Sequence, residues 1–415
     1  MKRLLAVLCA FLIGAPAYAG PPAIPPSAPF SNANATPCVY NWTPASLPKW
    51  RKALANQQNG LGTAGAARIL FLGDSLAKGI GAGTDGAGLV NGLLYSRSAN
   101  VAKKLSGVGI TTKQSSFLGQ CGTIFSAATI KTFNPYLTFT TADWSVAVAN
   151  GIPGGGWFQE SSSATSSLVF SPPEAWDTAI IYYSTNNTGL ATFSATINDG
   201  TTPTSINTNV AVSFGATTIT ANTGAGVHTL SIARTSGGAL YFNGALLYDS
   251  TNRGTVQVIN AGASGSYSAD FLSTAQSGNP YNIYNAIPTL APSLTEFILG
   301  GNDANTGVSV ATFTANMQTI ITKLLATGDV ILHVESPFQT TTGGSAQISL
   351  ATQQAYNAAI IGLGYANGIP VVDDTCRLTS WPVSNAAGEQ YDSLHLNNIG
   401  YGDVADVDYR VLVTP

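Results

Sequence analysis

The sequence predicts an α/β fold, a parallel sheet flanked by helices, with an all-β sandwich inserted into it. Three observations carry this. Short apolar runs that end in small polar loops alternate with helical stripes in the first and last parts of the chain. From about residue 134 to 252 helical periodicity disappears, and short alternating runs follow one another between turn signals. Beyond 252 the strand–helix alternation resumes. The domain plan is therefore a leader over 1–19, a Pro-rich linker over 20–43, an α/β unit split into 44–133 and 253–415, and a β-sandwich over 134–252.

The leader is Met1-Lys2-Arg3, an apolar stretch from Leu4 to Ile13, then Ala17-Tyr18-Ala19-Gly20. A basic start, a short apolar stretch and small residues before the cut make a signal peptide cleaved after Ala19. The expectation is a secreted or periplasmic protein without a membrane span after cleavage, because no other long apolar run exists. Cys9 leaves with the leader. Cys38, Cys121 and Cys376 remain, enough for one disulfide with one thiol over; the sequence does not choose the pair. No Cys or His pair has zinc-ligand spacing. Net charge is −3 and no basic run exists, so nothing supports nucleic-acid binding. Charged residues are only 9% of the chain, but 45% apolar residues argue against disorder.

The elements then follow in order. Residues 44–60, with Leu47, Trp50, Leu54 and Gln58, form a weak helical pattern. Ile69-Leu70-Phe71-Leu72 is a strand buried on both faces, and Gly73 permits a sharp turn into Asp74-Ser75. A glycine-rich loop, Gly79–Gly88, precedes a helix with Leu94, Val101 and Leu105 on one stripe, ended by Gly107. In the β insert, Trp144, Trp176, Tyr182 and Tyr183 are expected to fill the core. The pair Trp157-Phe158, after Gly154-Gly155-Gly156, is expected in a loop that forms a lip over substrate. His228 alternates within a strand and is structural. After the insert come strands at 256–260, 296–299, 330–334 and 369–373. Between them, Phe313, Met317, Ile320, Ile321, Leu324 and Leu325 mark an amphipathic helix ending near Gly328, and 346–365 a second. His333 is a core histidine, and Asp373-Asp374 are turn and cap residues. A last helix begins near Asn398.

Four polar stretches sit at or after strand ends, where open α/β sheets bind ligands. They are Gly73-Asp74-Ser75, the loop Asn260-Ala261-Gly262-Ala263-Ser264-Gly265, Gly300-Gly301-Asn302-Asp303, and Asp392-Ser393-Leu394-His395. A serine at a crevice mouth is placed to be a nucleophile. An aspartate three residues before a histidine can fold back onto ring Nδ1 and leave Nε2 to take the serine's proton. In this order the four stretches resemble the motifs of the SGNH (GDSL) hydrolase family, over 69–107 and roughly 256–411. The resemblance implies a flavodoxin-like three-layer α/β/α fold with strand order 2-1-3-4-5. It implies Ser75, Asp392 and His395 as the catalytic residues, and Ser75, Gly265 and Asn302 as the oxyanion donors.

The expected function is a serine esterase working through an acyl-enzyme, without metal or organic cofactor. Its partner is an acylated carbohydrate or another ester. A small acyl group on a glycan is favoured by the leader, the insert and the family's frequent role as carbohydrate O-deacetylase. The insert loosely resembles, in placement and texture, the β domains inserted in some bacterial cell-wall O-acetylesterases. The alternatives are a lipase or general carboxylesterase, and a non-catalytic glycan-binding protein on a hydrolase scaffold.

Overall fold

The computed structural model describes residues 38–43, 45–83, 90–114, 117–118, 127–141, 143–147, 157–160, 166–185, 189–211, 213–272, 286–340 and 348–413. The leader, Cys121, Gly154–Gly156 and the end of the Gly79–Gly88 loop lie outside them.

The chain enters at β1 (Val39–Tyr40), so the linker read over 20–43 ends earlier than expected. Cys38, just before β1, is disulfide-bonded to Cys376, with Cα atoms 5.2 Å apart. Helix α1 (Pro48–Gln58) opens with proline, which has no N–H to leave unsatisfied in a first turn. Strand β2 (Arg68–Gly73) is followed by α2 (Ser75–Lys78) and α3 (Arg97–Gly107). Helix α3 starts later than its apolar stripe implied, because Ser96 caps it by accepting from the Ala99 N–H.

Next come β3 (Phe117–Leu118) and four long-range partners: β4 (Trp157–Glu160), β5 (Thr178–Thr185), β6 (Ser213–Thr220) and β7 (Leu240–Tyr248). The remainder alternates again: β8 (Val256–Gly262), β9 (Leu294–Ile298), α4 (Gly301–Asn305), α5 (Val310–Thr327), β10 (Asp329–Val334), α6 (Leu350–Asn367), β11 (Val371–Asp373) and α7 (Asn398–Val413).

The parallel strands run β8-β2-β9-β10-β11, the order 2-1-3-4-5, and β1 closes the far edge antiparallel to β11. Period-two alternation divides the buried residues between two faces. Ile69 and Phe71 meet Trp50 of α1, Val101 and Leu105 of α3, and Val411 of α7. Leu70 and Leu72 share the other core with Phe313 and Met317 of α5 and Ile360 of α6. This is a three-layer arrangement.

The β insert is a sandwich whose first sheet is continuous with the parallel one. Strand β3 pairs with β8 on one side and β7 on the other, giving a single 13-stranded sheet. The second sheet has five strands, over Leu137–Thr138, Leu168–Phe170, Thr192–Ile197, Thr204–Asn207 and Leu230–Ser236. Phe193, Ile197 and Ile232 from this sheet pack on Ile181, Phe242 and Leu247 from the first. The opposite face of the first sheet sends Tyr182, Phe214 and Leu246 into the same core as Phe297 and Met317. Trp144, Trp176 and Tyr182 are fully buried, and Trp176 stacks edge-on against His228 at 5.5 Å.

Candidate active site

The site grows from the end of β2. Gly73 has φ 141°, and a Cβ there would lie 1.8 Å from the Ile298 carbonyl oxygen. Only glycine lets the strand end this close to β9. Asp74 donates its N–H to Ile298 O (3.2 Å) and accepts the Leu76 N–H at Oδ1 (2.9 Å), capping α2. That places Ser75 as the first residue of α2, buried to 4% exposure. Beneath it Gly262 of β8 is again a close approach, since a Cβ would sit 2.1 Å from the Lys78 nitrogen.

The loop before α7 supplies the base. Asp392 Oδ1 accepts the N–H groups of Leu394 (2.7 Å) and His395 (2.6 Å). Its Oδ2 meets His395 Nδ1 at 2.8 Å. His395 Nε2 lies 2.9 Å from Ser75 Oγ. The Trp381 indole N–H braces the loop on Asp392 O (3.0 Å). Burial pushes the Asp392 carboxyl upward, but the bonds from His395 and Leu394 more than offset it, and the group titrates below its usual range. A charged Asp392 holds the proton on Nδ1 and leaves Nε2 as acceptor for the serine O–H.

Gly265 lies in the turn after β8, with φ 82°. Ala263 N–H ties the start of that turn to Gly73 O (2.8 Å). Asn302, on α4, donates through Nδ2 to Ser266 O (3.0 Å) and to Asp74 Oδ2 (3.3 Å). The loop is buttressed by Asp303, which accepts from Ser268 N–H (2.9 Å) and Oγ–H (2.6 Å). The structure thus brings Ser75, Asp392, His395 and Asn302 to one end of the sheet, with Gly265 in the adjoining turn.

Trp157 and Phe158 depart from their expected place. They open β4, where Phe158 pairs with Phe242 and Trp157 with Ala147, so they belong to a strand and not to a loop. The glycines before them signalled a turn, but a partner strand distant in sequence decides the conformation. Their side chains lie outside the described residues.

Asp374 differs too. Asp373 does cap the helix Asp374–Leu378 by accepting the Cys376 N–H (3.0 Å), but Asp374 is buried against Arg97 (2.6 Å). Arg97 also holds Asp408 (2.5 Å). His333 Nε2 lies 2.6 Å from Glu296 beside this group. Burial raises the Glu296 carboxyl far above its usual range and lowers the His333 imidazole, so the acid donates to a neutral ring. Glu296, His333 and Asp408 have metal-ligand chemistry, but Arg97 already supplies the positive charge that Asp408 faces.

One buried acid near the serine carries no signal that stands out in the sequence: Glu335 follows the end of β10, and a strand-end position is its only mark.

The profile of the GDSL-like lipase/acylhydrolase family matches residues 218–402, a span that holds Gly265, Asn302, Asp392 and His395. Just under half of the chain therefore matches this family, and with the Asp392–His395–Ser75 array the chain is that of a serine ester hydrolase of GDSL type. Ser75 precedes the matched span, which begins inside the β insert. Among solved structures, a peptidoglycan O-acetylesterase aligns over 90% of this chain and 97% of its own, with TM-score 0.64 and 14% identity. A lipase/acylhydrolase from Enterococcus faecalis aligns over 38% of this chain and 74% of its own, at 22% identity and TM-score 0.32. An acetyl xylan esterase aligns over 38% and 81%, at 19% identity and TM-score 0.31. No curated protein matches. Among the described residues no helix of this GDSL-like hydrolase is long and apolar enough to cross a membrane.

Proposed function

We propose that this GDSL-type esterase is exported and removes acetyl groups from a carbohydrate polymer. The observation that carries the catalytic part is the unbroken chain Asp392–His395–Ser75, at 2.8 and 2.9 Å, at the carboxyl end of the parallel sheet. Ser75 Oγ attacks the ester carbonyl carbon while His395 Nε2 takes its proton. The oxyanion is met by the N–H groups of Ser75 and Gly265 and by the Asn302 amide, whose N–H turns away from Asp74. The carbon–oxygen bond to the sugar breaks, and His395 returns the proton to the leaving hydroxyl. Water then adds to the acyl-Ser75 ester by the same proton route and releases acetate.

The carbohydrate part is supported by the likeness to a peptidoglycan O-acetylesterase, which covers 90% of the chain and so includes the β insert. Export is supported by the leader sequence and by the Cys38–Cys376 disulfide, a bond typical of oxidising compartments.

The test is acetate release from O-acetylated peptidoglycan and O-acetylated xylan by the purified chain and its Ser75→Ala variant. Release from one polymer, lost by at least about a thousandfold in Ser75→Ala, is expected. No release from either, with p-nitrophenyl acetate still cleaved, would overturn the carbohydrate reading and leave the esterase.

A further inference from the structure

Behind the nucleophile lies a second acid that the triad does not use. Glu335 follows β10 and is 4% exposed, and Asp74 is 2% exposed. Glu335 Oε2 accepts the Gly301 N–H at 2.8 Å. The fit is tight: a Cβ on Gly301 would lie 2.5 Å from that oxygen. Glu335 Oε1 has no amide or hydroxyl partner among the described residues. The Glu335 carboxyl instead faces the carboxyl of Asp74, close enough for the two to share a proton.

Two carboxyl groups can share a hydrogen bond only through a proton. Donors decide which of them keeps it. Asp74 already accepts from the Leu76 N–H (2.9 Å) and from Asn302 Nδ2 (3.3 Å), and both bonds favour its charged form. Glu335 accepts only one N–H, that of Gly301, among the described residues. Charge therefore belongs on Asp74 and the proton on Glu335.

We propose that Glu335 is a positioning residue for ester hydrolysis: its protonated carboxyl donates to Asp74 and so frees the Asn302 amide to turn onto the oxyanion. The physical reason is competition. Asp74 Oδ2 and the oxyanion both want the same Asn302 N–H, while Ser266 O holds the other (3.0 Å). A proton shared from Glu335 draws charge away from Asn302. Without it, two negative charges stand behind the oxyanion site, pull on the amide and oppose the charge that develops on the substrate.

The burial of both acids agrees with this. It raises Asp74 to about 6 and pushes Glu335 well above the usual carboxylate range, where the neighbouring Asp74 charge adds to it. The other groups facing the pair are Asp303 on α4, His395 in the loop before α7 and Tyr401 on α7. Tyr356 on α6 faces Asp303 and donates to Val308 O. Asp303 disfavours a second charge and His395 favours the first, so the pair favours holding one proton between its two carboxyl groups.

The inference rests on Asn302 as an oxyanion donor, so Asn302→Ala is measured alongside. Steady-state acetate release is followed from pH 5 to 10 for the wild type, Glu335→Gln, Glu335→Leu and Asn302→Ala, each checked by a thermal melt. Glutamine keeps both bonds, its NH₂ to Asp74 and its C=O to Gly301, but cannot lose a proton. Its kcat should stay within about threefold of wild type at pH 7. Wild-type kcat should fall toward pH 10 as Glu335 loses its proton, and that fall should be absent in Glu335→Gln; a wild-type kcat that stays flat to pH 10 would overturn the proposal. Glu335→Leu should lose about 10- to 100-fold in kcat with KM nearly unchanged. An alkaline limb in Glu335→Gln matching the wild type would overturn the proposal, whether or not the leucine variant folds. So would a folded Glu335→Leu with wild-type kcat. Asn302→Ala with wild-type kcat would instead overturn the oxyanion assignment itself.

Discussion

The Asp392 carboxylate makes three hydrogen bonds within four residues, two to backbone N–H groups and one to the His395 ring. The backbone pair fixes the carboxylate; the third bond sets the tautomer. Asp392→Asn keeps the shape of the turn but lets the ring carry its proton on Nε2, facing Ser75. We expect kcat for acetate release to fall by up to about 10⁴-fold, with KM and melting temperature close to wild type. A fall of less than tenfold would remove tautomer control from Asp392. The turn was legible because Asp-x-x-His spacing is local. The role of Asp374 is hidden in the sequence for the opposite reason: its partner, Arg97, comes from another helix, and no spacing announces a pair 277 residues apart. Glu335 was silent in the same way, being one more acid after a strand until Asp74 is folded beside it.

At the scale of elements, the N-terminal arm is held twice. Strand β1 pairs with β11 through Val39↔Val372 and Tyr40↔Val371, and the disulfide anchors Cys38 to the helix that follows β11. A cross-link over a long stretch of chain mainly restricts the unfolded state. Replacing Cys38 and Cys376 together by serine should lower the unfolding free energy by about 2–4 kcal/mol in a denaturant titration. The kcat should be unchanged, because the bond sits at the β1–β11 edge of the sheet, with β9 and β10 between that edge and β2. A double variant as stable as the parent would mean that β1 pairing alone fastens the arm. The sequence left three cysteines and an open pairing. Registry between two strands at opposite ends of the chain selected the pair. Strand β4 makes a similar point, since Trp157 and Phe158 follow glycines yet take an extended conformation from the pairing of β4 with β7 on one side and with Trp144–Ala147 on the other.

For the whole molecule, the sheet shared through β3 makes insert and hydrolase one folding unit. Tyr182, Phe214 and Leu246 of the insert are buried in the core that Phe297 and Met317 also line. Replacing residues 134–252 by a short linker should expose that face. The shortened chain should be insoluble or should bind a hydrophobic dye without cooperative melting. A soluble deletion with a cooperative melt and esterase activity would show that the insert is a separable domain.

By itself, the sequence determined what depends on neighbours along the chain. Apolar alternation marked each parallel strand, glycines marked the turns where no Cβ fits, and four short motifs marked the residues around the serine. Each is a local pattern, set by backbone sterics and by the period of a strand or helix. Tertiary structure alone decided what depends on approach across the chain: the Cys38–Cys376 pair, the continuity of the two sheets, Arg97 between Asp374 and Asp408, and the proton held between Glu335 and Asp74. These are pairings of groups that water would otherwise solvate separately. Only burial, by removing that water, makes a partner or a proton obligatory.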